Sequence, residues 1–168
     1  AQISENAVEA ENADRLQLQK NGMMVLASWA VTNMAVSGYM MTRTSQTAFR
    51  FHQMNVFWNV VNAGIAASGY WGAAQAGPAS FSALETLSEY HNFSKVLLIN
   101  TGLDAAYVMT GMYLRERARN KPKYQHMLKG YGNSLLLQGG FLLAFDLALV
   151  LINETQMQQI PWLEQLQL

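Results

Sequence analysis

The sequence predicts an all-α membrane domain, a four-helix bundle built from two hairpins. Three observations carry that expectation. No Asp, Glu, Lys or Arg occurs between Phe51 and Leu84, and a run of that length exceeds the roughly 20 residues a helix needs to cross a bilayer. Hydrophobic residues make up 51% of the 168 and charged residues 13%, about half the charged share of an average soluble domain. Polar residues within the apolar run also recur at helical spacing. His52, Asn55, Asn59 and Asn62 fall three and four apart, one polar stripe on an otherwise apolar helix.

Taken in order, residues 1–21 are charged and helix-forming without a deep apolar face, which predicts an exterior aqueous or interfacial helix leading into the membrane. The start at Ala1-Gln2 fits a chain left after a signal peptide is cut behind a small residue. The first span is expected at 22–41, with Asn33 near its middle. The second covers about 55–74 and stops at Gly77-Pro78. Ser82-Ala-Leu-Glu85 reads as a capping box opening a short helix, 80–95, that lies on the membrane surface with Leu84, Leu87 and Tyr90 on one face. Spans three and four follow at 96–114 and 130–152, and 153–168 form an exterior tail anchored by Trp162. The whole chain, 1–168, is one integral membrane domain.

Basic residues set the orientation. Arg43, Arg50, Arg115, Arg117, Arg119, Lys121, Lys123 and Lys129 fall around the two short connections, leaving Arg15, Lys20 and Lys95 for the opposite side. The positive-inside rule then puts both connections in the cytoplasm and both termini on the periplasmic side of a bacterial inner membrane. An offset of 74 pairs Tyr39 with Tyr113, Arg43 with Arg117, His52 with His126 and Asn59 with Asn133. This pattern fits two tandem two-helix repeats, with chance as the alternative.

The residues that carry chemistry form three groups. Counted at 1.5 Å per residue from the cytoplasmic ends, Asn33, Asn62, Asp104 and Gln138 share one mid-membrane level, Asn100 and Asp146 form an outer one, and Asn59 belongs to the same polar network. Such groups serve either as an ion, proton or small-solute site or as hydrogen-bonding glue between helices. His52 and His126 are candidate ligands for a haem or a metal, or else interfacial histidines. Gly64, Ser68 and Gly72 on one helix, with Gly102 and Ala106 on another, make small-residue seams where a further helix can approach.

Several classes are excluded. The chain has no cysteine and a net charge of zero, which removes thiol chemistry, thiolate metal sites and a nucleic-acid surface. No hydrolase elbow, phosphate loop, metalloprotease helix or dinucleotide fingerprint occurs, so neither a catalytic residue nor a resident cofactor is assigned. The expectation is a non-enzymatic scaffold or accessory subunit of a membrane complex, with lipid, other membrane subunits or a second copy as partners. Two alternatives stand beside it: a small-solute, ion or proton transporter or channel, and a haem-, quinone- or pigment-binding subunit.

At FHQMNVFWNVVNAGIA, INTGLDAAYV and KGYGNSLLLQGGFLLAFDL the chain resembles a family of uncharacterised four-span integral membrane proteins of Bacteroidota-like bacteria. The resemblance runs from about Arg15 to Asn153. It implies a signal-bearing precursor and an inner-membrane location, and it assigns no activity and no functional residue.

Overall fold

The computed structural model describes residues 3–166, so the expected cleavage point at Ala1-Gln2 lies outside the described residues. Four long helices and no strand occur among them. They are α1 Glu5–Met41, α2 Gln46–Gln75, α3 Ala83–Arg119 and α4 Gln125–Gln158, with short 3-10 turns at Pro78–Ser80, Pro122–Tyr124 and Leu163–Leu166. α1 packs along α2, α3 along α4, and α2 along α4. Both tight connections therefore share one end of the bundle, and both chain termini share the other.

Local chemistry explains the boundaries. α2 ends at Gln75 because Gly77 and Pro78 follow it, and Pro cannot continue the hydrogen-bond ladder. α3 opens on a full capping box: Ser82 Oγ accepts from Glu85 N at 3.3 Å, and Glu85 Oε2 accepts from Ser82 N at 2.8 Å. These bonds hold the Glu85 carboxyl below its ordinary range. Asn120 and Pro122 end α3 and deliver the chain to α4.

Several sequence expectations are corrected here. Residues 80–95 do not form a separate surface helix, since α3 runs unbroken from Ala83 through the expected third span to Arg119. No proline interrupts that stretch, and Gly102 alone costs only about 1 kcal/mol against alanine. Leu84 points to the outside while Tyr90 is fully buried, so the two do not share a face. α1 is likewise one helix from Glu5, and its first turns do have a buried side, at Val8 and Leu16. Trp162 is not an interfacial anchor. It is buried with Val8, Tyr90 and Ile160 in an apolar cluster that ties both ends of the chain to the start of α3.

The hairpins match in outline, with α1 and α3 each 37 residues long. However, α3 starts 78 residues after α1 (Glu5 to Ala83) and α4 starts 79 after α2 (Gln46 to Gln125). Pairs at offset 74 thus sit about one helical turn out of step. His52 lies well inside α2 whereas His126 opens α4.

Among the described residues one stretch, Pro122–Gln158, is long and apolar enough to cross a membrane, with mean hydropathy 2.2 over its most apolar part. It contains the expected fourth span. The other three helices have the length, but polar residues such as Asn33, Asn55, Asn59, Asn62, Asn100 and Asp104 lower their averages.

Glycines fix the close approaches. A Cβ on Gly130 would stand 2.6 Å from Thr47 O and 2.8 Å from Phe51 N, and one on Gly132 would stand 2.7 Å from Gly111 O. α4 is therefore locked to α2 and α3 near the end that carries the two tight connections. By contrast, Gly64, Gly72 and Gly102 have nothing within 4 Å of that position. Gly130→Ala should accordingly destabilise the fold by about 1–3 kcal/mol through forced separation of backbones. Gly64→Ala should be neutral or stabilising by up to about 1 kcal/mol. Denaturant titration of both variants in mixed micelles checks the contrast, and equal effects would contradict this packing.

Candidate functional site

Two polar assemblies occupy the bundle interior, and a third braces the end where the termini meet. The first centres on Asn55 of α2, a member of the polar stripe. Its side-chain amide donates to Asn33 Oδ1 at 2.8 Å and to Ser37 Oγ at 2.9 Å on α1. Its oxygen accepts from Ser134 Oγ at 3.4 Å and from Gln138 Nε2 on α4. Trp29 Nε1 donates to Gln138 Oε1 at 2.9 Å, and the same indole stacks on Phe141 with centroids 3.8 Å apart. Asn59 Nδ2 donates to Asn55 O at 2.8 Å, and Asn62 Nδ2 to Asn59 Oδ1 at 3.4 Å. One string of amides thus joins α1, α2 and α4, each group supplying the partner the next one needs.

The second assembly is an acidic cleft beside that string. A cavity of about 490 Å³ is lined from all four helices, with Asp104 and Asn100 from α3, Asp146 from α4, and Asn62 and Trp58 from α2 among its walls. Asp104 and Asp146 thus stand on the walls of one cavity. Two buried carboxyls in one cavity resist double ionisation. Both are buried, Asp104 to 3% exposure, and Asp104 Oδ2 receives no hydrogen bond from any amide, hydroxyl or basic side chain. Trp58 packs edge-on against Tyr107 at 4.7 Å, and its Nε1 donor is also without a partner.

The structure therefore distributes the expected levels differently. Asn33 and Gln138 belong to the amide string, Asn59 and Asn62 extend it, and Asp104 joins Asp146 rather than a separate level, with Asn100 nearby. The expected third span ended at 114, whereas α3 runs on to Arg119 before α4 starts at Gln125.

The two histidines do not share a partner. His52 Nδ1 lies 3.1 Å from Ser37 Oγ, and His126 Nδ1 lies 2.8 Å from Thr47 Oγ1. No group of three or more His, Asp or Glu residues suited to a metal occurs among the described residues. Gly64, Ser68, Gly72, Gly102 and Ala106 all lie on the outside of the bundle.

The third assembly was not legible in the sequence. Arg15 is 1% exposed and donates from Nε and Nη2 to Asn12 Oδ1 at 3.3 and 3.2 Å. It lies 3.7 Å from Glu89 and 4.9 Å over the Phe81 ring. Burial pulls its pKa below the ordinary value, opposed by Glu89. Asn12 also donates to Thr86 Oγ1 at 2.8 Å, and Tyr90 OH donates to Glu11 Oε1 at 2.6 Å. Burial and then the Glu11 carboxylate push the Tyr90 phenol up. Asn153 Nδ2 closes the set, donating to Tyr90 O at 3.0 Å and Ser94 Oγ at 2.8 Å. The only available signal was a polar residue every third or fourth position in α1, a pattern that surface helices share.

Around these interiors the outer surface is apolar. Val25, Val31 and Val36 of α1, Phe57, Ile65 and Trp71 of α2, Ile99 and Met109 of α3, and Leu147 and Leu151 of α4 are all exposed. Through the middle of the bundle, amides and acids are buried beside a few aliphatic residues such as Leu26, Leu97 and Leu135, while many large apolar side chains face outward.

Asn55→Ala would leave Ser37, Asn33 and Gln138 short of partners, each a buried group whose desolvation is then uncompensated. We expect a loss of about 1–3 kcal/mol in a micellar unfolding titration, and an unchanged midpoint would mean that the string is slack. Burial holds the His52 imidazole below its ordinary 6.5. The folded chain then binds fewer protons than the unfolded one, so this contribution is complete above about pH 6.5 and declines as the pH falls below it. A His52→Gln variant should lose less stability than the parent between pH 7.5 and pH 5, measured as the difference between their unfolding midpoints.

No curated protein and no solved structure matches the chain. A family model described as a family of unknown function, DUF6992, matches residues 25–147. Those residues hold the C-terminal part of α1, all of α2 and α3, most of α4, the amide string and both acids of the cleft, and the protein belongs to that family of unknown function.

Proposed function

We propose that this chain is a four-span integral membrane protein of a bacterial inner membrane and works as a non-enzymatic scaffold or accessory subunit. The observation that supports this most directly is the inverted distribution of side chains. A water-soluble bundle places Leu, Val and Ile inside and amides outside, because apolar burial drives its folding. Here Asn55, Asn59 and Gln138 are buried while Phe57, Ile65, Trp71, Ile99 and Leu151 are exposed on all sides. Lipid makes that arrangement favourable: exposed aliphatic groups meet acyl chains, and polar groups must pair internally.

The bounds of the apolar belt fit the charge pattern. Arg43, Arg115, Arg117, Arg119, Lys121 and Lys123 gather at the end with the two tight connections. That end is the cytoplasmic one in this reading, with the termini periplasmic. The braced end carrying Arg15, Glu89 and Tyr90 then stands in water, where its apolar-inside cluster of Val8, Tyr90, Ile160 and Trp162 is the expected arrangement.

The subunit role rests on faces that the chain itself does not use. Gly64 and Gly72 of α2 and Gly102 of α3 are open, with Ser68 and Ala106 beside them. Small residues allow close helix approach in lipid, and no helix of this chain takes that place. As a pathway for ions or solutes the amide string is a poor candidate, because its members bond to one another and leave no lining for a hydrated ion.

Membrane placement and association are tested separately. The chain should stay with membranes through an alkaline wash and need detergent for release. Because the sequence has no cysteine, single introduced thiols report topology cleanly. Ser80→Cys should react with an impermeant maleimide from the periplasmic side, and Lys121→Cys only after permeabilisation. Protein that is freely soluble, or the reverse labelling pattern, would reject the membrane reading. For association, Gly64→Leu and Gly102→Leu should each weaken a cross-linked oligomer or a co-purified membrane partner about tenfold without lowering the unfolding midpoint. A wild-type chain that is strictly monomeric and brings down no partner would reject the subunit role.

A further inference from the structure

We propose that the cleft between α2 and α3 is a binding site for a lipophilic amine in its protonated form, held by the Asp104–Asp146 pair. This goes beyond the subunit reading and does not depend on it, since the cleft is complete within one chain.

Three properties of the cleft point to that ligand. Its charge is unbalanced. Asp104 and Asp146 are both buried, yet no Lys, Arg or His is among the lining residues, and Asp104 Oδ2 receives no hydrogen bond from any amide, hydroxyl or basic side chain. A buried carboxylate is stable only with a proton, a cation or several donors. Once either acid ionises the cleft holds an unanswered negative charge, and an ammonium group brings both the missing positive charge and N–H donors to the orphaned oxygen.

The walls suit an organic cation rather than a metal ion. Phe93, Tyr107, Phe145 and Trp58 surround the acids, and most of the remaining lining is aliphatic. Aromatic faces attract alkylammonium groups, whereas a hydrated divalent ion needs a shell of oxygen ligands. The volume of about 490 Å³ is that of a typical small-molecule site.

The cleft also has a lateral opening. α2 and α3 are not packed along each other, whereas each packs along α4, and Trp58 meets Tyr107 edge-on between them. Val61, Ile65, Val96 and Leu103, which line the cleft, are exposed along this opening. A ligand that partitions into lipid reaches the acids from the side without crossing the amide string. The free Trp58 Nε1–H offers a neutral, oxygen-bearing ligand a competing foothold, so charge has to be separated from shape in the test.

The probes are 2-(1-naphthyl)ethylamine, protonated at neutral pH, and 2-(1-naphthyl)ethanol, the same body with a neutral hydroxyl. Binding to the full chain in a zwitterionic detergent is followed by tryptophan fluorescence and by calorimetry. The amine should bind at least tenfold more tightly than the alcohol, and Asp104→Asn should abolish that preference while the alcohol's affinity stays within a few-fold. Equal affinities in the wild type would assign the cleft to neutral ligands and overturn the proposal, as would no binding of either probe. A preference for the amine that persists in Asp104→Asn would place the cation elsewhere and overturn it too. The wild-type comparison stands alone if the variant does not fold. Neither readout moves with oligomeric state, so failure here is distinct from failure of the subunit role.

Discussion

Pairing of amides across helices, with Asn55 at the centre, is the constraint on which the rest of this bundle depends. Asparagine has two donors and one acceptor oxygen, and at Asn55 they are spent on Asn33 and Ser37 of α1 and on Ser134 and Gln138 of α4. A side chain with that many partners permits only one rotation of α2 about its axis and one height along its neighbours. Leucine contacts do not impose this, since one aliphatic ridge slides over another at small cost. The string specifies which packing is adopted; Gly130 lets α4 come close to α2, and the glycines at 111, 132 and 139 bring α3 and α4 together beside it.

The same chain solves a different problem at its far end. There the helices extend past the apolar belt, and Val8, Tyr90, Ile160 and Trp162 form a core with polar residues around it. Within it Arg15 is buried, its charge answered by Asn12, Glu89 and the Phe81 ring. Such a cluster, made from the first turn of α1, the start of α3 and the end of α4, fastens the two hairpins where α2 cannot, since α2 ends at Gln75. The bundle is thus closed at one end by glycine contacts between backbones and at the other by side chains. Between these ties lies the acidic cleft, where α2 and α3 stand apart.

Helix ends were legible where the sequence carries a chemical stop or start. Pro78 and the Ser82–Glu85 box mark their positions unambiguously, because a missing N–H or a capping carboxylate acts within one turn. Helix continuity was not legible. A change from polar to apolar composition near residues 21 and 95 looks like a boundary, but composition reports the surroundings of a helix and not its hydrogen bonds, so α1 and α3 cross both changes without a break. The polar stripe on α2 was visible from its spacing alone. Its partners were not, because facing residues are fixed by the relative heights of helices, which depend on connection lengths that the sequence offset of 74 misstates by a turn.

Glycine shows why a motif alone does not determine its use. Gly102 and Gly111 stand on the same helix, and Gly64 and Gly130 each belong to runs of small residues that read alike. Yet a methyl group at 111 or 130 meets backbone atoms at 2.8 or 2.6 Å, and one at 64 or 102 meets nothing. The difference arises from which face the amide string turns inward. Once Asn55, Asn59 and Asn62 point to the centre, Gly64 and Gly72 are carried to the outside by helical geometry. An open glycine face weakens a helix in isolation by about 1 kcal/mol per residue relative to alanine. A chain that keeps two such faces alongside a well-packed interior has a surface suited to another helix, and the polar interior that fixes its rotation is what makes that surface constant.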